Sequence, residues 1–269
     1  VVEHPDTGMI AFTGSTAVGR SIAKHCAATF KKTSLELGGN NAFIVLADAD
    51  IASASSCAAW GAFLHQGQIC MQSGRHIVHK DVAEAYASAL AERANNLYAG
   101  NPFTEQCHLG PLINQTQADK VEALIDESVA MGAKVIAGGT VEGRLVRPTV
   151  LTNVTPDMPV FQQEIFGPVA PIVTFSTEQE AIALANATSL GLSASIHTAD
   201  SAKGEYLAGL IEAGMVHVND QTVNNEYHIP FGGLKDSGDA GRIGGPVNLD
   251  EFTHSKWISV MNQGIQYPF

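Results

Sequence analysis

Residues 65–70 read His-Gln-Gly-Gln-Ile-Cys and follow an alanine-rich apolar segment. A cysteine that only packs is expected inside a helix, as Cys57 is. Cys70 instead stands where the helix has ended and the backbone must turn, a position that would present the thiol. A thiolate is a nucleophile when a helix N-terminus, a cation or hydrogen bonds favour it. The alternative is an inert structural cysteine, which is the usual state of this residue.

A carboxylate suited to proton transfer occurs upstream, in Leu-Glu-Leu-Gly-Gly at positions 35–39. Glu36 is either the outward side of an alternating strand or a partly buried acid with a raised pKa. Taken alone, the first interpretation is favoured. The paired glycines weaken it, because they permit close backbone approach or unusual dihedral angles.

Three further segments have compositions that suit a binding site. Residues 12–19, Phe-Thr-Gly-Ser-Thr-Ala-Val-Gly, place Gly14 and Ser15 between a strand and a helix, where a helix N-terminus could hold a phosphate. The segment lacks the Gly-Lys-Ser/Thr of a Walker loop and the usual Gly-x-Gly-x-x-Gly fingerprint. A plain strand-to-helix turn with Ser15 as N-cap is therefore favoured on this segment alone.

Residues 163–169 read Gln-Glu-Ile-Phe-Gly-Pro-Val, which places Glu164 and Phe166 in or beside a rigid turn. The simpler alternative is a loop that buries Phe166. Residues 230–242 are too rich in glycine for a regular element and too ordered in composition for a linker. We expect this loop to pack tightly against another segment or to close over a site.

The elements that would position these residues alternate along the chain. Apolar strands are separated by helices of about ten to eighteen residues, which predicts α/β layers around a mostly parallel sheet. Asp50, Asn114 and Thr177 are predicted N-caps, and Gly132 is predicted to end a helix. The tail 251–261 looks like a strand outside this alternation, and we expect it to pair with another subunit.

Composition limits the possible functions. The chain has 269 residues, 45% of them hydrophobic, and a net charge of −12, which disfavours nucleic acid and anionic membranes as partners. We expect no membrane partner, because no apolar run is long enough to cross a bilayer. The four cysteines show neither a C-x-x-C pair nor metal-ligand spacing, so we expect free thiols, a reducing cytoplasmic location and no metal.

Five of these motifs, in this order and together with Gly-Leu-Ser-Ala-Ser-Ile at 191–196, resemble the aldehyde dehydrogenase superfamily over nearly the whole chain. The resemblance implies an α/β fold: the end of a Rossmann-type cofactor domain (1–38), a catalytic domain (39–245), and an oligomerisation strand and tail (246–269). The family's chains are about twice as long, so this sequence resembles their C-terminal half. No Trp-Asn dipeptide is present, although the family's second oxyanion donor is the asparagine of such a segment.

The resemblance also implies roles for individual residues. Cys70 would attack an aldehyde, and Glu36 would be the base that hydrolyses the resulting thioester. NAD or NADP would be the cofactor. The residues implied to contact it are Gly14, Ser15, Leu37, Glu164 and Phe166.

The region around the nucleophile most resembles the branch that oxidises benzaldehyde, salicylaldehyde and vanillin. The residues that would line the aldehyde pocket are Ile69, Met71, Asn219, Tyr227 and Phe231. The resemblance further implies a homo-oligomer, a dimer or a tetramer. Two alternatives remain: an acylating enzyme that passes the thioester to coenzyme A, and a non-catalytic fragment or structural protein that retains the motifs.

Overall fold

The computed structural model describes residues 1–239 and 241–269. The strands are β1 (Met9–Thr13), β2 (Lys32–Glu36), β3 (Ala42–Val45), β4 (Arg75–His79), β5 (Lys134–Ala137), β6 (Val141–Glu142), β7 (Leu145–Val146), β8 (Thr149–Thr152), β9 (Val169–Phe175), β10 (Leu190–Gly191), β11 (Ser193–His197), β12 (Met215–Val218) and β13 (Leu234–Lys235). The helices are α1 (Thr16–Ala27), α2 (Ile51–Phe63), α3 (Ala83–Asn95), α4 (Gln115–Ala130), α5 (Pro159–Gln162), α6 (Glu178–Asn186), α7 (Ser201–Ala208) and α8 (Val247–Phe252).

A seven-stranded sheet in the order β12-β11-β3-β4-β9-β8-β5 forms the centre of the fold. All of its pairings are parallel except the one between β5 and β8. Strand β3 shows why both faces are covered: Ala42 and Ile44 join one apolar cluster, whereas Phe43 and Val45 join another on the opposite face. The predicted α/β layers with a mostly parallel sheet are confirmed.

The predicted helix ends are also confirmed. Asp50 Oδ1 accepts hydrogen bonds from the backbone N–H groups of Ala52 and Ser53, and Asn114 caps α4 through its bond from Gln117. Gly132 follows α4 with a φ of +114°, a left-handed value that glycine adopts easily. Thr177 accepts from the backbone N–H of Glu180 at the start of α6.

Strands β1 and β2 form a separate parallel pair, with α1 between them in sequence. Helix α1 packs closely on the end of β2, because a Cβ added at Gly19 would lie 2.5 Å from a methyl carbon of Leu37. The chain passes from this small sheet to the large one through residues 37–41. Assignment of residues 1–38 to a cofactor domain stays a prediction.

A buried group of aromatic and histidine side chains lies on one face of the large sheet; we call Phe43, His76, Tyr86 and His197 the histidine–tyrosine cluster. The Phe43 ring lies 5.4 Å from the His76 ring and 4.5 Å from the His197 ring. The Tyr86 hydroxyl is 2.7 Å from His76 Nδ1. All four residues are nearly inaccessible to solvent. His76 Nδ1 has the Tyr86 hydroxyl as its partner, whereas His76 Nε2 is buried without a hydrogen-bond partner.

The tail differs from the sequence prediction. Helix α8 ends at Phe252, so the predicted strand over 251–261 is wrong for its first two residues, and residues 253–261 form no strand in this chain. Apolar side chains there are largely exposed, including Trp257 at 93%. A strand needs a neighbour for its backbone hydrogen bonds, and no strand of the described residues pairs with 253–261. The pairing of this tail with another subunit stays a prediction.

Within residues 1–239 and 241–269, no helix combines the length and the apolar character needed to cross a bilayer.

Candidate active site

The Cys70 turn begins where α2 ends. After Phe63 the chain forms a single 3₁₀ turn over Leu64–Gly67, and His65, Gln66 and Gly67 all have positive φ, at 50°, 58° and 68°. Two of these three are not glycine, so the turn carries backbone strain that its surroundings must offset. The sequence predicted a turn here, but not its left-handed conformation.

Asn41 fixes the position of this turn. Its side-chain Nδ2 donates to the carbonyl oxygens of Cys70 (2.9 Å) and Gln72 (2.7 Å), and its Oδ1 accepts from the Ser193 backbone N–H (2.9 Å). The Thr222 hydroxyl donates to the Met71 carbonyl at 2.6 Å. Residues from β11 and the segment after β12 therefore position the backbone around Cys70.

The double glycine lies where two polar groups approach the backbone. A Cβ at Gly38 would lie 2.4 Å from Glu164 Oε2, and a Cβ at Gly39 would lie 2.2 Å from the Cys70 carbonyl oxygen. Neither distance is compatible with a side chain. The Gly39 N–H also donates to Glu164 Oε1 at 3.0 Å. The close backbone approach expected from the paired glycines is therefore present, and it brings Glu164 and Cys70 to either side of residues 38–39.

The loop that carries Glu164 also contacts the Cys70 turn directly. Gln72 Nε2 donates to the Gly167 carbonyl oxygen, and a Cβ at Gly67 would lie 2.2 Å from that same oxygen. Phe166 is half-buried, with a φ of 55°, and its carbonyl oxygen accepts from Gln117 Nε2 at 3.0 Å. The loop is held by these contacts, and Phe166 is not fully buried in the core.

Glu36 is a buried acid rather than an outward-facing one. It is 6% exposed, and its Oε2 atom is buried without a hydrogen-bond partner. Burial raises the pKa of its carboxyl to about 7; the Arg242 charge opposes this rise and the Asp239 charge adds to it. Of the two interpretations left open by the sequence, the geometry supports the second. A carboxyl that titrates near neutrality can accept or release a proton at physiological pH.

The glycine-rich loop covers this acid. Gly238 pairs with Glu36 as an antiparallel bridge, the Leu37 N–H donates to the Ser237 carbonyl at 2.9 Å, and the Leu35 N–H donates to Asp239 Oδ1 at 3.1 Å. The expectation that residues 230–242 pack tightly against another segment is confirmed. The loop also brings a positive charge, on Arg242, towards Glu36.

The Cys70 thiol is half-buried and unpaired. Its pKa is raised to about 11, first by burial and then by the negative charges of Glu164 and Glu36, while the backbone N–H groups of Met71 and Cys70 lower it. With a pKa of about 11, the thiol is protonated at neutral pH. The site holds a potential nucleophile and two carboxyl groups, and the carboxylates suppress ionisation of the thiol.

The predicted phosphate-binding turn is exposed at the start of α1. The Gly14 N–H donates to the Glu36 carbonyl at 3.0 Å, and Ser15 caps α1 through a long (3.5 Å) contact from Val18. The first turn of α1 contains no acidic residue. An accessible helix N-terminus without negative side chains suits a phosphate, although the capping role of Ser15 also explains this residue without one. Leu37 packs against Gly19, beside this turn.

Four of the five predicted pocket residues differ in their burial and in their neighbours. Ile69 and Met71 flank Cys70 and are half-buried. Phe231 is half-buried too, but it lies in a bridge with Ile243. Tyr227 is 88% exposed, and its ring contacts His228 edge-on.

Asn219 is placed away from the nucleophile. It follows β12 at the carboxyl edge of the sheet, where its Oδ1 accepts from the Thr198 N–H at 2.9 Å. The backbone carbonyl oxygen of Cys70 accepts a hydrogen bond from Asn41, which directly precedes β3 at the amino edge of the sheet. Because these strands are parallel, the two residues lie at opposite ends of the sheet. The expectation that Asn219 borders the aldehyde pocket stays a prediction.

Sequence reasoning missed Asn41 and Gln72, the two side chains that hold the turn. Both follow functional motifs closely, and Asn41 directly precedes a buried strand, where a polar side chain needs partners. That signal could have identified Asn41. Within the described ranges, no group of three His, Cys, Asp or Glu side chains could ligate a metal.

Comparison with known proteins gives a consistent result. Residues 1–258 match the sequence profile of the aldehyde dehydrogenase family. The chain is 54% identical over 269 residues to benzaldehyde dehydrogenase [NAD(+)] of Pseudomonas putida, covering all of this chain and 55% of that protein. It is 50% identical over 270 residues to a vanillin dehydrogenase of an Amycolatopsis species, and this match covers 100% of this chain and 56% of that protein.

The fold is similar to a crystal structure of salicylaldehyde dehydrogenase from Pseudomonas putida G7 complexed with salicylaldehyde. The TM-score is 0.95 at 38% identity, and the match covers 100% of this chain and 55% of that one. The chain therefore spans about half the length of the relatives it matches.

Proposed function

The chain belongs to the aldehyde dehydrogenase family, and from this premise we propose that it forms the catalytic part of an enzyme that oxidises an aromatic aldehyde to its carboxylic acid. One observation carries the proposal: Cys70 and Glu164 both lie against Gly38 and Gly39, the two glycines that follow the buried acid Glu36 by two and three positions. The similar proteins named for benzaldehyde, vanillin and salicylaldehyde support the substrate class.

The proposed reaction begins at the Cys70 sulfur. The thiol first releases its proton to solvent, and the thiolate then adds to the aldehyde carbon to form a tetrahedral thiohemiacetal, whose oxyanion needs hydrogen-bond donors. The backbone N–H groups of Cys70 and Met71 already favour negative charge on the sulfur, and the Cys70 N–H is the proposed donor to the oxyanion. Loss of hydride from the tetrahedral carbon leaves a thioester on Cys70.

Glu36 is the proposed base for the second half of the reaction. Its carboxyl has a pKa of about 7 and an unpartnered Oε2, so it can take a proton from water as that water attacks the thioester. Sulfur leaves, the carboxylic acid is released and the Cys70 thiol is restored. A base that activates water supports hydrolysis over transfer to coenzyme A.

A nicotinamide cofactor would accept the hydride. The exposed turn at Gly14 and Ser15 fits its pyrophosphate, since α1 starts there without acidic residues. Glu164 and Phe166 would hold its nicotinamide end, and Leu37, which packs against Gly19, would contact the cofactor as well. NAD or NADP is proposed, and the name of the benzaldehyde relative supports NAD.

The test is product analysis with the natural full-length protein. Benzaldehyde, salicylaldehyde and vanillin should be oxidised with NAD or NADP at a kcat/KM about tenfold or more above that of hexanal. Mass spectrometry should detect the free acid whether or not coenzyme A is added. Formation of an acyl-coenzyme A would support the acylating alternative, and no oxidation of any aldehyde would refute the proposal.

A further inference from the structure

Glu164 and the Cys70 turn both contact the same residue, Gly39. The Gly39 N–H donates to Glu164 Oε1 at 3.0 Å, while a Cβ at Gly39 would lie 2.2 Å from the Cys70 carbonyl oxygen. A Cβ at Gly38 would lie 2.4 Å from Glu164 Oε2. Both carboxylate oxygens therefore contact the strip of backbone against which Cys70 packs.

A second set of contacts fixes this arrangement. The Gly167 carbonyl oxygen accepts from Gln72 Nε2 and would lie 2.2 Å from a Cβ at Gly67. The loop bearing Glu164 and the turn bearing Cys70 are thus packed backbone to backbone. The fold therefore holds the carboxylate beside the backbone against which the Cys70 turn packs.

A fixed negative charge close to a partly buried thiol opposes its ionisation. Of the charged groups that act on Cys70, Glu164 has the larger effect and Glu36 the smaller, and the N–H groups of Met71 and Cys70 act in the opposite direction. Burial raises the pKa of the Glu164 carboxyl above its ordinary value, and the Gly39 N–H and the Lys120 ammonium oppose that rise. Lys120 also donates to the Glu164 backbone carbonyl oxygen at 2.7 Å.

We propose that the Glu164 carboxylate, held at Gly39, suppresses the reactivity of the Cys70 thiol in the unliganded protein. The inference rests on the proposed function for the identity of the nucleophile, but it concerns a different property of the site. A protonated thiol resists oxidation and alkylation. A ligand that draws the carboxylate away from Gly39 would release this suppression.

The test measures thiol reactivity instead of turnover. The protein is treated with a small neutral disulfide between about pH 7 and pH 11, and mixed disulfides at the four cysteines are separated by peptide mass spectrometry. Glu164→Gln is expected to lower the midpoint of the Cys70 profile by about one pH unit. At about pH 8 this gives roughly ten times more thiolate, each less nucleophilic, so labelling should rise about threefold.

Three variants separate charge from packing. Glu36→Gln should give a smaller rise than Glu164→Gln. Glu164→Asp keeps the charge but draws it back from Gly39, so its midpoint should fall by less than that of Glu164→Gln. Glu178→Gln, at an exposed site paired with Lys203, should change nothing.

Equal falls of the midpoint in Glu164→Gln and Glu164→Asp would mean that packing, not charge, is responsible, and the inference would be overturned. An unchanged midpoint in Glu164→Gln would overturn it as well. Should that variant unfold, as shown by new labelling of buried Cys26, the unsubstituted protein decides the question. A Cys70 midpoint at or below the ordinary thiol value of about 8.5 would then refute it. If the labelling behaves as expected but the protein has no dehydrogenase activity, the proposed function is refuted and the inference about Glu164 and Cys70 stands.

Discussion

The Cys70 site and the histidine–tyrosine cluster both bury titratable groups, but with opposite consequences. At the Cys70 site, burial brings the pKa of Glu36 to about 7 and leaves its Oε2 without a partner. In the cluster, burial lowers the pKa of His76 to about 3 and that of His197 to about 4, far from neutrality. The first group can exchange protons at physiological pH, and the histidines cannot.

This difference distinguishes a site prepared for chemistry from polar groups retained in a core. His76 bonds to the Tyr86 hydroxyl, and His197 Nε2 lies 3.1 Å from the Asp220 carbonyl oxygen. Glu36 Oε2 and His76 Nε2 are both buried without a hydrogen-bond partner, so an unpartnered atom does not separate the two regions. The shifted pKa value does, because Glu36 is brought to about 7 and the two histidines are taken to about 3 and 4.

The largest expected effect is at the nucleophile. In the natural full-length protein, Cys70→Ser should abolish aldehyde oxidation, because a serine alkoxide is not available at neutral pH. Cys57→Ser, close to the histidine–tyrosine cluster, should cost stability at most. Steady-state kinetics on both folded variants tests the contrast. Near-normal turnover in Cys70→Ser would rule out the assignment, and an equal loss in Cys57→Ser would show that the wrong thiol was chosen.

Glu36→Gln should have the next largest effect. The variant should still form the thioester and release one burst of reduced cofactor per site, while steady turnover falls by roughly two to four orders of magnitude. Rapid-mixing kinetics separates the burst from the steady state. Loss of the burst as well would place Glu36 before the thioester, as an activator of Cys70.

Acid should destabilise the protein through the cluster. His76 and His197 stay neutral in the fold, whereas in the unfolded chain their pKa is about 6.5, so below that pH only the unfolded state gains protons. Stability present above pH 6.5 is lost as the pH falls. At about pH 5 each histidine should account for about 2 kcal/mol.

Urea unfolding of the parent and of a His76→Gln/His197→Gln double variant at several pH values measures this loss. The difference between the two removes the contribution of the carboxyl groups, including Glu36, whose raised pKa acts in the opposite direction. A pH dependence that is the same in both proteins would show that the histidines are not responsible.

The smallest expected effect tests whether the cluster is purely structural. Tyr86→Phe removes the partner of His76 Nδ1, 2.7 Å away, and should cost about 1–3 kcal/mol of unfolding free energy with kcat unchanged within about twofold. Tyr206→Phe is the matched control, because Tyr206 is 69% exposed and should cost less than about 0.5 kcal/mol. A fall in kcat in Tyr86→Phe, without loss of stability, would connect the cluster to the reaction.

Local sequence patterns were sufficient for some features and not for others. The caps at Asp50, Asn114 and Thr177 could be predicted because each depends on residues two or three positions away. The close approach at Gly38 and Gly39 could also be anticipated, because paired glycines in an apolar strand need a reason. Residue types alone did not identify which groups approach them.

The features that the sequence did not predict depend on distant contacts. The position of Asn219 at the carboxyl edge follows from its pairing with Thr198, and residues 251–252 end helix α8 where a strand was predicted. The raised pKa of the Cys70 thiol could not be foreseen either, because two of its causes, Glu164 and Glu36, are brought together only by the fold.

Two hydrogen bonds that fix the Cys70 turn come from residues much later in the sequence, so they determine when the turn can form during synthesis. Asn41 accepts from Ser193, 152 residues later, and Met71 accepts from Thr222, 151 residues later. At about 5–20 residues per second, a ribosome needs roughly 8–30 seconds to make that stretch. The thiol therefore leaves the ribosome long before the residues that fix its position, and its final geometry is among the last parts of the molecule to form.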